Sequence, residues 1–226
     1  MGQTISTHRY PKSRSTAQRG HVPEKEGSTI ALSRRSVIAG IALLPVAQIA
    51  QAALSPYALV PSGTTVSFSF NLSGVAQTGT MPIQSANIRI DTNRLQNSRV
   101  DVVMNVAKAR TKLPFAQMPM LSPSVLDAAR FPTIRFVSTK IQLGPGGRIS
   151  NGASITGNVT VRGVTRPITL QANLYRQSGS DVKDLDRLFI HLKGALNRHD
   201  FGASGYPDLV QDTVGLNIRA EILRQT

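Results

Sequence analysis

From Ser154 to Leu174 the chain alternates apolar and polar residues twice over, and no other stretch constrains the fold as much. Ile155, Gly157, Val159 and Val161 alternate with Thr156, Asn158, Thr160 and Arg162. After a break, Ile168, Leu170, Ala172 and Leu174 alternate with Thr169, Gln171 and Asn173. A period of two puts one set on a buried face and the other in solvent, as in a half-buried strand. The break, Arg162-Gly163-Val164-Thr165-Arg166-Pro167, holds a glycine that tolerates positive φ and a proline better suited to a strand's start than its middle. An antiparallel hairpin follows.

The same period recurs along the chain. Val66, Phe68 and Phe70 mark a strand over 63–71; Ile88 and Ile90 mark another, and Val102 and Met104 a third. The segment 73–82 is rich in Gly, Thr and Gln and reads as a loop or a weak edge strand. Ile134 and Phe136 open a strand running to Leu143, Ile190 and Leu192 belong to one that Gly194 marks for a bulge, and Leu216 and Ile218 belong to the last. Between Leu113 and Ala129 the period breaks under Pro114, Pro119 and Pro123. There Ser122-Pro123 looks like an N-cap followed by proline at the first helical position, predicting a short helix near 123–129 that lids one end of the fold.

About eight strands at this spacing predict an all-β domain, and eight antiparallel strands can close into a barrel without exposed edges. A barrel of that size is either filled by its side chains or holds one slender ligand. The inward set comprises Phe68, Phe70, Ile88, Ile90, Val102 and Met104 in the first half of the domain. In the second half it comprises Ile134, Phe136, Val159, Val161, Ile168 and Leu170, then Ile190, Leu192, Leu216 and Ile218. Alternation identifies these residues but leaves open whether they touch or surround a hollow.

Ahead of the barrel lie two segments of other character. Residues 1–29 are polar and basic without an apolar period, and read as a disordered extension or an unused upstream start. Residues 30–52 contain Arg34-Arg35, the apolar run to Ala50, and the small-residue site Ala50-Gln51-Ala52. That order describes a twin-arginine export signal cleaved near Ala52, with an ordinary secretory signal as the alternative. The barrel domain is then 53–226, and its expected location is the periplasm. Seven basic and two acidic residues precede residue 53, leaving nineteen and ten after it, a net charge of +9 on the exported part. Such a charge suits an anionic membrane surface or another polyanion. The scarcity of aromatic platforms argues against single-stranded nucleic acid. With no cysteine, disulfides, thiolate metal sites and a lipid-modified cysteine are excluded.

Three blocks carry a resemblance: Phe131-Pro132-Thr133-Ile134-Arg135-Phe136 with Ser138-Thr139-Lys140, the run Gly157 to Leu170, and Asn197-Arg198-His199-Asp200-Phe201-Gly202. With the ending Asp212-Thr213-Val214-Gly215-Leu216-Asn217-Ile218, they resemble the YceI-like, polyisoprenoid-binding family over about Tyr57 to Leu223. The resemblance implies an extended, lipocalin-like β-barrel that holds a long isoprenoid lipid, of quinone or polyprenol type, in the periplasm. It implies no catalytic residues and no covalent cofactor. The family's Asp-Pro-x-His-Ser-like turn is replaced here by Val60-Pro61-Ser62-Gly63-Thr64, and the segment from Gln171 to Arg187 is short and polar.

Arg198 and Asp200 are the polar candidates, either orienting a headgroup or pairing with each other to fix a loop. Arg162 and Arg166 flank the hairpin tip, as solvated turn charges or as phospholipid contacts. Lys108, Arg110 and Lys112 fall on one side of an extended segment, as a solvated rim or a membrane-facing one. His191 and His199 match no metal-ligand spacing, and no serine sits in a nucleophile-elbow pattern. Beside the lipid carrier stand two other readings, a packed barrel serving as a partner-binding module of a membrane complex and an enzyme acting on bound lipid.

Overall fold

The computed structural model describes residues 54–147, 151–181 and 184–225, all within a unit spanning Ile49–Thr226. The polar extension, the export signal and its cleavage site lie outside the described residues.

The predicted hairpin forms and pairs along nine residues. Its arms are β8 (Ala153–Val161) and β9 (Val164–Arg176), joined by Arg162 and Gly163 alone, at φ 50° and 75°. Two successive residues at positive φ make a primed turn, whose twist matches that of the strands it joins. The reversal is thus tighter than the six-residue break suggests, and Pro167 lies inside β9, opposite Asn158. Counting outward from the Val161–Val164 pair, Pro167 falls at a position whose N–H would point away from β8. Pairing with the next strand ends at Gln171, so no ladder bond is lost there.

Going backward along the chain, β7 (Thr133–Leu143) pairs with β8 and with β5 (Arg99–Asn105), and β5 pairs with β4 (Ile83–Asp91). Forward, β9 pairs with β10 (Arg187–Asn197) and β10 with β11 (Thr213–Arg224). The ring closes through β1 (Leu54–Leu59), which bonds β4 on one side and β11 on the other, giving eight antiparallel strands. The predicted number is correct, but its membership differs. Residues 65–72 form β2, which shares the free edge of β11 with β1 and leads into β3 (Val75–Thr80) and the two-residue β6 (Arg110–Thr111). Of the segment 73–82, residues 75–80 are a strand, paired with β2 along its length and with β6 only at Gly79 and Thr80. Gly194 is no bulge, because β10 runs in unbroken register with β11 through it. A Cβ there would come within 2.6 Å of Leu170, so glycine makes room for that side chain.

The helix is present but lies earlier than expected. α1 spans Pro114–Leu121, whereas 123–129 forms turns. Pro114 takes the first helical position, where its missing N–H costs nothing. Ser122 donates its hydroxyl to the Pro119 carbonyl at 2.7 Å, closing α1 instead of capping a following helix. Asp127, at φ 49°, then turns the chain through an N–H bond to the Ser122 carbonyl at 2.8 Å.

The core sits in three clusters. Tyr57, Ile88, Ile90, Leu188 and Ile222 pack together where β1 closes the ring. Phe136, Val159, Val161, Leu170 and Phe201 occupy the middle, and Met81, Val106 and Ala109 lie beneath α1.

Candidate functional site: an apolar cavity in the barrel

The barrel is hollow. A cavity of about 540 Å³ lies among its strands, within the usual ~300–1,000 Å³ of ligand pockets. All sixteen residues placed inside by alternation line it, from Phe68 and Phe70 on β2 to Leu216 and Ile218 on β11. Leu192, Leu216 and Ile218 face inward yet are only half-buried, because the space before them is empty. On β11 alone the lining runs from Val214 to Ile222, a rise of about 27 Å, so the cavity is elongated along the strands.

Its wall is shaped by close approaches. Gly157 faces the Phe136 ring, which occupies the position a Cβ would need. Phe68 and Phe70, two apart on one face of β2, stack with centroids 6.2 Å apart. Two irregularities in register shift the inward phase, between Ile83 and Ser85 on β4 and between Ser138 and Lys140 on β7. As a result Ile83, Ile141 and Leu143 join the lining, although strict alternation assigns them to the other face. Ala116, Pro119 and Met120 of α1 and Leu126 of the following turn also line it. Leu126 falls in the segment expected to lid the barrel, but the α1 residues do not, because the helix was placed too late; the signal available was Pro114 followed by an apolar run.

Among the described residues the only lining side chains with a nitrogen or oxygen are Ser98, Arg198 and Tyr206. The Arg198–Asp200 pair does not form. Arg198 is 5% exposed and spends its guanidinium on four carbonyls, while Asp200 is exposed. Nη1 donates to Ala203 at 2.6 Å and Gly205 at 2.7 Å, Nη2 to Val210 at 2.9 Å, and Nε to Gln211 at 3.2 Å. Arg198 therefore clamps the loop 202–211, as one reading proposed, but with backbone partners that no spacing rule displays. Arg162 acts alike. It is no free turn charge, since Nη1 donates to Pro123 at 2.6 Å and Val125 at 2.9 Å and ties the hairpin tip to the turns after α1. Gly205 completes the cap with an N–H bond to the Ser124 carbonyl at 2.8 Å.

His191 bonds Asn217 at 3.1 Å and His199 lies 3.0 Å from Asp212, both on the outside. No group of three His, Cys, Asp or Glu residues able to hold a metal occurs among the described residues. Chemically, the cavity offers burial to an apolar chain and little with which to bond a polar group.

The YceI-like domain family matches residues 57–222. A UPF0312 protein of Pseudomonas putida is 28% identical over 150 residues, covering 65% of this chain and 73% of its own. A UPF0312 protein of Pseudomonas fluorescens is 30% identical over 138 residues, covering 60% and 67%. Among solved structures, Burkholderia cenocepacia BcnA superposes with a TM-score of 0.62 at 17% identity, over 73% of this chain and 99% of that one. A polyisoprenoid binding domain from Saccharophagus degradans superposes with a TM-score of 0.54 at 13% identity, over 76% and 99%. At these identities the structural likeness concerns the fold.

Proposed function

The chain belongs to the YceI-like family, and from that premise we propose that it is a periplasmic binding protein that carries or sequesters an isoprenoid lipid of quinone or polyprenol type. One observation carries the reading: an elongated apolar cavity whose wall holds three side chains with polar atoms. A lipid tail suits such a wall. Each buried CH₂ contributes about 0.8 kcal/mol as an upper figure, offset in part by the ordering of the tail. With Arg198 committed to the loop, selectivity would reside in tail length and shape more than in the headgroup. The ligand is held without covalent attachment, and binding rather than catalysis is the proposed activity. The polyisoprenoid-binding description of the Saccharophagus degradans domain supports the ligand class. The arginine pair and Ala50-Gln51-Ala52 support export with cleavage near Ala52, and the net positive charge supports transient contact with an anionic membrane.

Extraction of the purified chain with organic solvent, followed by mass spectrometry, tests the proposal. A prenylated lipid in the extract, or saturable uptake of added ubiquinone, is expected. An empty extract combined with no uptake of quinone or prenol would overturn it.

A further inference from the structure

The cavity has a mouth, and its position is readable from exposure. Of the lining residues among those described, only Phe115, Tyr206 and Leu209 are exposed, at 71%, 43% and 51%. Phe115 lies on α1 and the other two on the 202–211 loop, so the cavity reaches solvent between those elements. The surface around this opening is apolar. Six large apolar side chains are exposed among the described residues, and Val75 and Met118 join these three at the same end, leaving Tyr175 alone elsewhere. Val75 belongs with them because the adjoining turn bonds the loop, Ser73 N–H to the Leu209 carbonyl at 2.7 Å. Met118 follows Phe115 by three residues and so shares its side of α1.

A cluster of cations borders this patch. Lys108, Arg110 and Lys112 lead directly into α1, are all exposed, and belong to none of the ion pairs among the described residues. The segment is fixed to the helix by Gln117, which donates to the Ala109 carbonyl at 2.7 Å and accepts from the Thr111 N–H at 3.1 Å. The loop opposite carries one carboxylate, Asp208. A second basic group, Arg89, Arg94 and Arg99, lies toward the other end and has no exposed large apolar side chain beside it. Five of the six exposed large apolar side chains among the described residues and this cluster of cations, Lys108, Arg110 and Lys112, lie at the mouth.

We infer that this face docks on an anionic lipid bilayer, with Phe115, Met118, Tyr206 and Leu209 entering the interface and Lys108, Arg110 and Lys112 meeting the headgroups, so that lipid passes between bilayer and cavity through the mouth. The inference rests on the carrier reading for its purpose, but not for its test. Apolar side chains sinking into the acyl boundary with cations at headgroup level is the general arrangement of surface-bound proteins. A docked mouth spares a tail from crossing water.

The ring is complete within residues 54–225, so the chain from Ala53 onward is tested. Co-sedimentation with phosphatidylglycerol-containing vesicles at low salt is expected, with little on phosphatidylcholine. The triple variant K108Q/R110Q/K112Q should partition about a hundredfold less, from the loss of three cations near the surface. Met118→Asp should also release the protein from vesicles. Neither site lines the cavity, so both variants should keep the wild-type melting temperature and take up ubiquinone from detergent micelles as wild type does. Slower uptake from vesicles alone would complete the case. Equal vesicle binding by wild type and variants, or no binding by wild type, would overturn the docking. Vesicle binding by wild type without ubiquinone uptake from either source would leave the docking standing and defeat the carrier.

Discussion

At one end of the barrel Leu188 and Ile222 are 1% and 0% exposed, and Tyr57, Ile88 and Ile90 close around them. At the other, Leu192 and Leu216 of the same two strands are half-buried, and Phe115 and Leu209 stand in solvent. The residue types are alike; the difference is what lies opposite each side chain. Where β1 completes the ring, inward residues meet each other as well as the cavity, and that end is sealed from solvent. Toward α1 the ring continues into β2, β3 and β6, and its inward residues face open space. Burial thus stabilises one end while the other keeps apolar surface available to a ligand.

Paired truncations would test this contrast most strongly. Leu188→Ala truncates a side chain that is 1% exposed and packed among Tyr57, Ile88, Ile90 and Ile222, and should cost about 2–5 kcal/mol in denaturant melts. Leu192→Ala removes atoms from a wall that already borders a void, and should cost about 1–2 kcal/mol. Equal losses would mean that both ends are packed alike. Next, Arg198→Met should cost about 2 kcal/mol by stranding the four loop carbonyls. Hydrogen exchange should then quicken over 202–211 and stay slow in β10 and β11; uniform quickening would show the loop to be part of the general core. The smallest effect concerns the sealed end. The Asp91 carboxylate accepts from Asn97 Nδ2 at 3.0 Å and from the Arg94 and Asn93 N–H groups at 2.8 and 3.0 Å. These bonds, that from Asn97 foremost and then that from Arg94, hold its pKa below the ordinary aspartate value. A carboxyl with a lowered folded pKa stabilises the fold above the unfolded value of about 3.9 and loses that contribution as pH falls through the folded pKa. Melting temperature should therefore decline more steeply below about pH 4 in wild type than in Asp91→Asn, while docking and ligand uptake at neutral pH stay unchanged.

Most strands were legible because alternation survives in Val66 to Phe70, Val159 to Val161 and Leu216 to Ile222. Residues 54–59 escaped notice, since Pro56 interrupts a run of six and the strand owes its existence to neighbours on both sides. The helix was misplaced because Ser-Pro at 122–123 is a start signal locally, while the Ser122 hydroxyl is used on the preceding turn. The cavity wall was readable for every residue in phase and unreadable at Ile83, Ile141 and Leu143, where register shifts reverse the phase. The roles of Arg162 and Arg198 were hidden for another reason. Their partners are backbone carbonyls brought near by the fold, and a carbonyl has no letter in a sequence.

The seam of the ring sets a condition on how this molecule comes into being. It joins Tyr57 to Arg224, so the first strand waits for the last before either edge is covered. Closing so wide a span is entropically slow, and a nascent chain leaving the ribosome amino terminus first holds an incomplete cylinder until β11 has emerged. Losing even the short opening strand to a protease would leave β4 and part of β11 with unmatched N–H and C=O groups, an invitation to pair with another chain.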